Sequence, residues 1–152
     1  FRRVITACAS APREGQDGTW IVPEMIDAYC DWHARGRTHS VETWIDGELV
    51  GGLYGVGIGG MFFGESMFAR RTDASKIAFA ALVCLCREHG MPMIDCQQHT
   101  RHLASMGARE LARPEFEARL ARSLGAPPVA DWTYDLRMWR HLATVRPEDP
   151  GT

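Results

Sequence analysis

The sequence predicts an α/β (α+β) fold, in which a mixed, largely antiparallel sheet is flanked by helices. Three observations support this prediction. Residues 39–68 contain three apolar runs that are joined by two turn-forming dipeptides, Asp46-Gly47 and Gly59-Gly60. A helical pattern follows over residues 73–89, and a short apolar run over residues 91–95 comes after it. Strands joined by tight turns pair antiparallel, so the first three runs are expected to form a meander.

The first part of the chain predicts one complete helix. Residues 1–10 have the pattern of the end of a strand or a helix, and residues 11–19 form a polar loop rich in glycine and proline. Pro23 suits the first turn of a helix, where the missing N–H has no partner in any case. Gly36 suits the position after the helix end, so a helix is expected from Pro23 to about Arg35.

The middle of the chain predicts the sheet and a long helix beside it. Strands are expected at residues 39–46, 49–58 and 61–68, where apolar and β-branched residues lie between the turns. Asp73 is expected to cap a helix that runs to His89 and is closed by Gly90, with Ser75 as an alternative cap. The remaining predicted elements are a strand at 91–95, a short helix near 102–106, and a helix that Pro114 opens and that runs to about Leu124.

A meander, then a helix, then a strand that enters from the far side is the element order of GNAT-type acyltransferases, although a fold by itself does not fix a function. We expect one domain over residues 1–124. A proline-rich tail over residues 125–152 is expected to pack on that domain.

The composition is that of one globular domain. The chain has 152 residues, 45% of them hydrophobic and 24% charged, and no apolar run reaches the ~20 residues that a membrane span needs. The formal net charge of −2 gives no basic field that would indicate nucleic acid by itself. Five cysteines at irregular spacings indicate buried thiols in a reducing compartment. We expect a cytoplasmic monomer that does not contact membranes. Because the chain starts with Phe1 and not with Met, we interpret it as a fragment or a processed product.

An acid and an amide at the end of the fourth predicted strand are candidates for catalysis. One residue separates Asp95 from Gln97, and side chains at i and i+2 of an extended backbone point to the same side. An amide that is oriented by a carboxylate can hold a reacting amine near an ester carbonyl. The residues leave a second interpretation open, in which Asp95 caps the following loop and Gln97 is solvated.

Two further polar positions are candidates for binding. Glu65 interrupts an apolar strand, where a carboxylate is unfavourable unless it is paired or faces a cleft. It either pairs with an arginine of this chain or receives a cationic ligand. At the start of the helix after Asp73, free backbone amides with Ser75 and Lys76 could bind a phosphate, although simple capping is the more common role.

Metal binding and covalent catalysis are not favoured. Cys96, His99 and His102 recur at three-residue intervals, but a closed zinc site needs four ligands and no second pair has a usual spacing. Ser66 lacks the context of a nucleophile elbow. We therefore expect neither a metal nor an organic cofactor.

Seven short segments, taken in order, carry a family resemblance. They are GTWI (18–21), HSVETW (39–44), LVGGLYGV (49–56), FFGESMF (62–68), DASK (73–76), IDCQ (94–97) and HLASMGA (102–108). Together they resemble the leucyl/phenylalanyl-tRNA–protein transferases over roughly residues 1 to 120.

The resemblance implies a GNAT-like catalytic domain that moves leucine or phenylalanine, or also methionine, from aminoacyl-tRNA to the N-terminal Arg or Lys of a protein. The product is then read by the bacterial N-degron degradation machinery. The resemblance also implies that Asp95 and Gln97 are the catalytic pair, that Glu65 is a pocket acid, and that Trp20 lies near the terminal adenosine of the tRNA. The other substrate-binding candidates are Leu53, Phe62 and Ile94, for the pocket of the apolar side chain, and Ser75.

Members of that family carry an N-terminal domain before the segment that starts here, and it contributes basic tRNA-binding surface and part of the pocket. The sequence of 152 residues lacks it, so the resemblance implies the catalytic part of such an enzyme. Two rival interpretations remain. One is an acetyl-CoA-dependent N-acyltransferase, although residues 70–74 (RRTDA) do not supply the expected pyrophosphate loop. The other is a non-catalytic remnant that binds tRNA or protein N-termini.

Overall fold

The structure is a computed structural model that describes residues 1–12 and 18–142. Its elements in chain order are α1 (Arg2–Ser10), α2 (Pro23–Ala34), β1 (Thr38–Ile45), β2 (Glu48–Ile58), β3 (Met61–Ala69), α3 (Ala74–Glu88), β4 (Ile94–Asp95), α4 (Arg101–Ser105), α5 (Arg113–Leu124) and a 3₁₀ helix (Leu136–Leu142). The strands form one sheet in the order β1-β2-β3-β4. β1, β2 and β3 pair antiparallel, and β4 pairs parallel to β3. The predicted mixed, largely antiparallel sheet flanked by helices is confirmed.

The two hairpin turns lie where the sequence places them. Asp46 and Gly47 both have positive φ, at 53° and 78°, which matches the right-handed twist of the flanking strands. At the second turn, Gly59 also has a positive φ, and a Cβ atom there would lie 2.6 Å from the Ser123 carbonyl oxygen. The backbone N–H of Gly60 donates to that same oxygen at 2.8 Å. This turn is therefore held against the end of α5.

The start of α3 differs from its prediction. Asp73 occupies the cap position, but its backbone is left-handed (φ 61°) and its side chain makes no capping hydrogen bond. Its carboxylate instead pairs with Lys76 Nζ at 2.7 Å. Ser75 lies inside the helix and is buried. The prediction that Asp73 or Ser75 caps this helix with its side chain is therefore wrong.

The fourth strand is shorter than predicted. Of the residues predicted for this strand, 91–95, only Ile94 and Asp95 pair with β3. The N–H of Met91 donates to the Cys86 carbonyl at 2.8 Å, so it closes the end of α3 and does not join the sheet. Pro92 has no N–H to donate to a strand partner. These two residues leave β4 as a two-residue strand at the edge of the sheet.

The sheet separates two hydrophobic cores. On one face α1 and the chain before α2 pack on Leu49, Tyr54 and Phe68. On the other face α3 packs on Leu53 and Phe62. Because side chains alternate along a strand, Leu53 and Tyr54 of β2 serve opposite faces.

The segment after α5 also packs on the domain. The Trp132 ring stacks on the His39 ring, with centroids 4.0 Å apart, and a Cβ atom on Gly57 would lie 2.6 Å from Trp132 Cζ2. Further on, Met138 is buried against α3 beside Cys84 and Leu85. The tail predicted over residues 125–152 extends beyond this region, and residues 143–152 lie outside the described residues. Among the residues that are described, no helix is long and apolar enough to cross a membrane.

Candidate active site

A cleft of about 260 Å³ opens beside the junction of β3 and β4. Residues of β2, β3, α3, β4 and α4 line it, together with Trp20 from the chain before α2. The cleft brings together five residues that the sequence predicts as site residues: Trp20, Leu53, Glu65, Ile94 and Gln97. These come from four separate stretches of the chain, so the fold assembles them.

Glu65 lies in the cleft because β3 contains a β-bulge. Tyr54 of β2 pairs with Ser66, and the next residue, Gly55, pairs with Gly64, so Glu65 has no partner across the strands. An extra residue of this kind bends its strand and re-aims the side chain. A Cβ atom on Gly55 would lie 2.2 Å from the Phe63 carbonyl oxygen, so the bulged strand can approach β2 this closely only at a glycine. The bulge explains how a carboxylate is accommodated in an apolar strand.

Gln97 meets Glu65 from the other side of the cleft. Its Nε2 donates to the Gly64 carbonyl oxygen at 3.0 Å and to Glu65 Oε1 at 3.4 Å. Because Nε2 is used as a donor in both contacts, the amide oxygen is the atom left to accept a hydrogen bond from a ligand. The side-chain amide is thus oriented although Gln97 is exposed.

Asp95 acts on the backbone of Gln97. Its Oδ1 accepts a hydrogen bond from the Gln97 N–H at 2.8 Å, and Gln97 has a left-handed backbone with φ 60°. The expectation that an extended backbone points both side chains to the same side is therefore wrong. Asp95 fixes the turn that follows β4, as the second interpretation holds, but Gln97 is not merely solvated.

Tyr29 of α2 is a site residue that sequence reasoning missed. Its hydroxyl hydrogen-bonds to Glu65, and burial together with the nearby Glu65 carboxylate raises the pKa of Tyr29 to about 12. The Tyr29 and Tyr54 rings meet edge to face, with centroids 5.4 Å apart. A signal was present, because a tyrosine on the inward face of a helix needs a partner for its hydroxyl. The sequence did not show which partner that would be.

The cleft also has an apolar wall beside its polar side chains. It includes Leu53 and Ile94 as predicted, together with Phe79 and Leu82 of α3. Trp20 lies at the cleft with 44% of its surface exposed, which leaves its ring available to a ligand.

Three predicted site residues do not line the cleft. Asp95 is not among the residues around it, although it hydrogen-bonds to the backbone of Gln97. Phe62 is fully buried in the core that α3 covers. Ser75 is buried in the first turn of α3 and is not among the residues around the cleft. The structure therefore does not bring Phe62 or Ser75 together with the other five residues.

Glu65 forms no ion pair with an arginine in the part of the chain that the structure describes. Arg70, which follows β3, donates instead to the Leu49 carbonyl oxygen at 3.2 Å and lies over the Phe68 ring. Of the two interpretations of Glu65, the internal ion pair is not realised among these residues.

The histidines and the cysteine near the cleft do not form a metal centre. His99 lies 4.0 Å from Glu110, and burial, followed by the negative charge of Asp95, raises the pKa of the Cys96 thiol. A thiol of this kind stays protonated at neutral pH and is a weak nucleophile. Within residues 1–12 and 18–142, no group of three or more His, Cys, Asp or Glu side chains is arranged to hold a metal ion.

Comparison with known proteins identifies the family. The model of the leucyl/phenylalanyl-tRNA protein transferase family matches residues 1–121. The chain belongs to this family.

Three curated relatives have the name leucyl/phenylalanyl-tRNA–protein transferase. The relative from Methylibium petroleiphilum is 58% identical over 152 residues, which is 100% of this chain and 57% of the relative. The relative from Leptothrix cholodnii is 59% identical over 151 residues, which is 99% of this chain and 59% of the relative. The relative from Burkholderia multivorans is 60% identical over 138 residues, which is 91% of this chain and 54% of the relative. The chain thus spans somewhat more than half the length of each of these relatives.

Proposed function

We propose that this chain forms the catalytic part of an enzyme that transfers leucine or phenylalanine from aminoacyl-tRNA to the N-terminal Arg or Lys of an acceptor protein. The observation that carries the proposal is the meeting of the Glu65 carboxylate and the Gln97 amide in a cleft that also has an apolar wall. The names of the relatives point to the same reaction.

Glu65 is assigned to the side chain of the acceptor's first residue. It is half-buried, and the described residues offer it a tyrosine and an amide but no cation. A guanidinium or ammonium group would supply the missing charge, and charge-assisted hydrogen bonds are roughly twice as strong as neutral ones. The Tyr29 hydroxyl would hold the carboxylate in place before the acceptor arrives.

The apolar wall is assigned to the amino acid that is transferred. Leu53, Ile94, Phe79 and Leu82 would receive a leucine or phenylalanine side chain, whose full burial is worth about 1.5–3 kcal/mol. The same wall disfavours a charged side chain, which would lose its hydration without gaining a partner. The exposed Trp20 ring can stack on the terminal adenine of the tRNA, a contact worth about 1–3 kcal/mol per base.

The reaction is the attack of the acceptor's α-amine on the ester carbonyl carbon. A C–N bond forms, the ester C–O bond breaks, the amine loses a proton, and the 3′ oxygen of the tRNA leaves and gains one. The ester is already activated, so placing the amine correctly supplies much of the rate enhancement. The Gln97 amide oxygen would accept a hydrogen bond from the amine and direct its lone pair at the carbonyl. Asp95 acts through the backbone of Gln97 and is a positioning residue.

Further parts of the proposal follow from the substrates. Aminoacyl-tRNA is a cytosolic molecule, so we place the reaction in the cytoplasm, with the enzyme acting as a monomer. The modified protein would enter N-degron degradation. We also assign residues 1–124 to a GNAT-like domain, which the order of meander, α3 and β4 supports.

The test is the transfer of radiolabelled leucine from leucyl-tRNA to two peptides that differ only in starting with Arg or with Glu. The assay is run with this chain alone and with this chain joined to the part of the Methylibium relative that it does not match. We expect labelling of the Arg peptide at least tenfold above the Glu peptide in the joined protein. Equal labelling, or acetylation of the same peptide from acetyl-CoA in place of leucine transfer, would contradict the proposal.

Binding should also depend on the joined part. Because the net charge of this chain is −2, we expect it alone to bind leucyl-tRNA more weakly, and with a flatter salt dependence, than the joined protein. Filter binding at two salt concentrations measures both quantities. Equal affinity and equal salt dependence would place the tRNA-binding surface on this chain.

A further inference from the structure

A second, open groove of about 890 Å³ adjoins the cleft. It lies along β4, between α3 on one side and residues 106–119 on the other. Five residues line both the cleft and the groove: Phe79, Ile94, Cys96, Gln97 and Gln98. A chain that starts beside Glu65 and Gln97 can therefore continue into the groove without crossing the core.

One wall of the groove is the free edge of the sheet. β4 pairs with β3 through Ile94 and Asp95, and no other described strand pairs with it. Backbone N–H and C=O groups alternate between the two edges of a strand, so part of the β4 backbone faces the groove. An edge of this kind can accept an extended peptide as an additional strand.

The rest of the groove is suited to a polypeptide and not to a polyanion. Its lining includes four apolar side chains, those of Met93, Met106, Leu111 and Phe116. Two of its four arginines are already paired on α5, Arg113 with Glu117 and Arg119 with Glu115, both at 2.7 Å. The formal charges of the other two, Arg87 and Arg109, are balanced by those of Asp95 and Glu110, which also line the groove. The charge left for phosphate groups is small, and binding to nucleic acid depends on such charge.

We infer that this groove binds the residues that follow the first residue of the acceptor polypeptide, in an extended conformation along the free edge of β4. The inference rests on the proposed function, which places the acceptor's first residue at Glu65. Hydrogen bonds to the peptide backbone are insensitive to side chains. They would let the enzyme accept many proteins that have only their N-terminal residue in common.

Peptide binding to the 152-residue chain, measured by isothermal titration calorimetry, tests the inference. The probes are arginine amide and the five-residue amide Arg-Leu-Val-Leu-Ala. We expect the pentapeptide to bind at least tenfold more tightly than arginine amide. Methylation of single backbone nitrogens in the pentapeptide should weaken binding at every second position, as strand pairing requires.

Two matched variants locate the gain in affinity. Leu111→Asp places a charge in the groove and should remove most of the tenfold gain while leaving arginine amide binding unchanged. Leu136→Asp makes the same substitution at a residue that is 77% exposed in the 3₁₀ helix and should change neither affinity.

The outcomes separate the inference from the proposed function. If arginine amide binds but the pentapeptide gains nothing, or if Leu111→Asp weakens both ligands equally, the groove inference is overturned and the proposed function stands. If arginine amide does not bind at all, the acceptor role of Glu65 fails and the inference fails with it. Displacement of the pentapeptide, but not of arginine amide, by a tRNA acceptor-stem minihelix would assign the groove to RNA and overturn the inference.

Discussion

Two polar side chains of the same sheet, Glu65 and His39, lie in opposite surroundings. Glu65 is placed by a bulge at a cleft, where Tyr29 and Gln97 hydrogen-bond to it. His39 lies beneath the Trp132 ring, and its buried Nε2 has no hydrogen-bond partner among the residues that the structure describes. Burial, followed by the neighbouring His33, lowers the pKa of His39 to about 4.

The two surroundings indicate different roles, ligand binding for Glu65 and stability of the fold for His39. A carboxylate that has hydrogen-bond partners at a cleft is prepared for a ligand, whereas a histidine held neutral under an indole contributes to packing. Glycines enable both arrangements. Gly55 permits the close approach at the bulge, and Gly57 leaves room for Trp132. Substitutions near Trp132 should therefore change stability, and those at the cleft should change activity.

The largest effect is expected from Trp132→Ala, which should lower the free energy of unfolding by about 3 kcal/mol. The indole stacks on His39, packs against Phe62 and fills the space above Gly57, and its loss leaves a cavity. Urea denaturation measures the change. The matched control is Trp44→Ala, because Trp44 is 44% exposed and should cost less than 1 kcal/mol. Equal losses in the two variants would contradict the packing role of Trp132.

The next largest expected effect is a loss of catalytic activity. Gln97→Ala should reduce leucine transfer at least tenfold, which corresponds to about 1.4 kcal/mol of transition-state stabilisation. The melting temperature should hardly change, because Gln97 is exposed. Asp95→Asn should also reduce transfer, but less than Asp95→Ala, since the Asn oxygen can still accept from the Gln97 N–H. Single-turnover transfer rates provide the measurement, and an unchanged rate in a folded Gln97→Ala protein would remove Gln97 from the mechanism.

Glu65→Gln should raise the KM for Arg- and Lys-initiated acceptors about fivefold, or about 1 kcal/mol. The affinity for aminoacyl-tRNA should stay nearly constant, because the substitution removes a charge that only the acceptor would use. Glu42→Gln is the control, since Glu42 is a carboxylate on β1 that accepts hydrogen bonds from Ser40 and Trp44 outside the cleft. A lower melting temperature with an unchanged acceptor KM would show that Glu65 is structural.

The smallest effect is a dependence of stability on pH. In the folded chain the pKa of His39 is about 4, below its ordinary value. At a pH between these two values, the unfolded chain binds a proton at His39 that the folded chain does not bind. The stabilisation is fully present above about pH 6.5 and is lost as the pH falls toward 4. We expect a loss of about 1 kcal/mol, since partial exposure of His39 weakens the effect. Urea denaturation at pH 7 and pH 4.5 should show a smaller difference in His39→Gln, and an equal difference would contradict the assignment.

The parts of the fold that were predictable depend on local chemistry. The Asp46-Gly47 turn follows from residues that tolerate positive φ, and the start of α2 follows from Pro23. The start of α3 was predicted at the correct residue, but the predicted side-chain capping hydrogen bond does not form. Asp73 adopts a left-handed backbone and pairs with Lys76, which shows that a favoured cap residue does not have to cap.

Five of the predicted site residues lie together at the cleft, but the geometry that brings them together was not predictable. The bulge at Glu65 depends on how β3 pairs with β2, which no short stretch of sequence records. The partnership of Tyr29 with Glu65 joins residues 36 positions apart (65 minus 29), and the packing of Trp132 on Gly57 spans a longer separation still. Non-local contacts of this kind are set by the completed tertiary structure.

The shortness of β4 has a consequence for the order in which the molecule assembles. Gln97 reaches Gly64 across 33 residues of chain, and it can do so only after α3 has crossed the sheet and the two residues of β4 have paired. Contacts between distant residues carry a large loop-closure cost and form late in folding. The hairpins and the α3 core should therefore be in place before the cleft exists. A chain arrested at that stage would have nearly its full secondary structure and no binding site. Recovery of acceptor binding during refolding should then lag behind recovery of the circular dichroism signal.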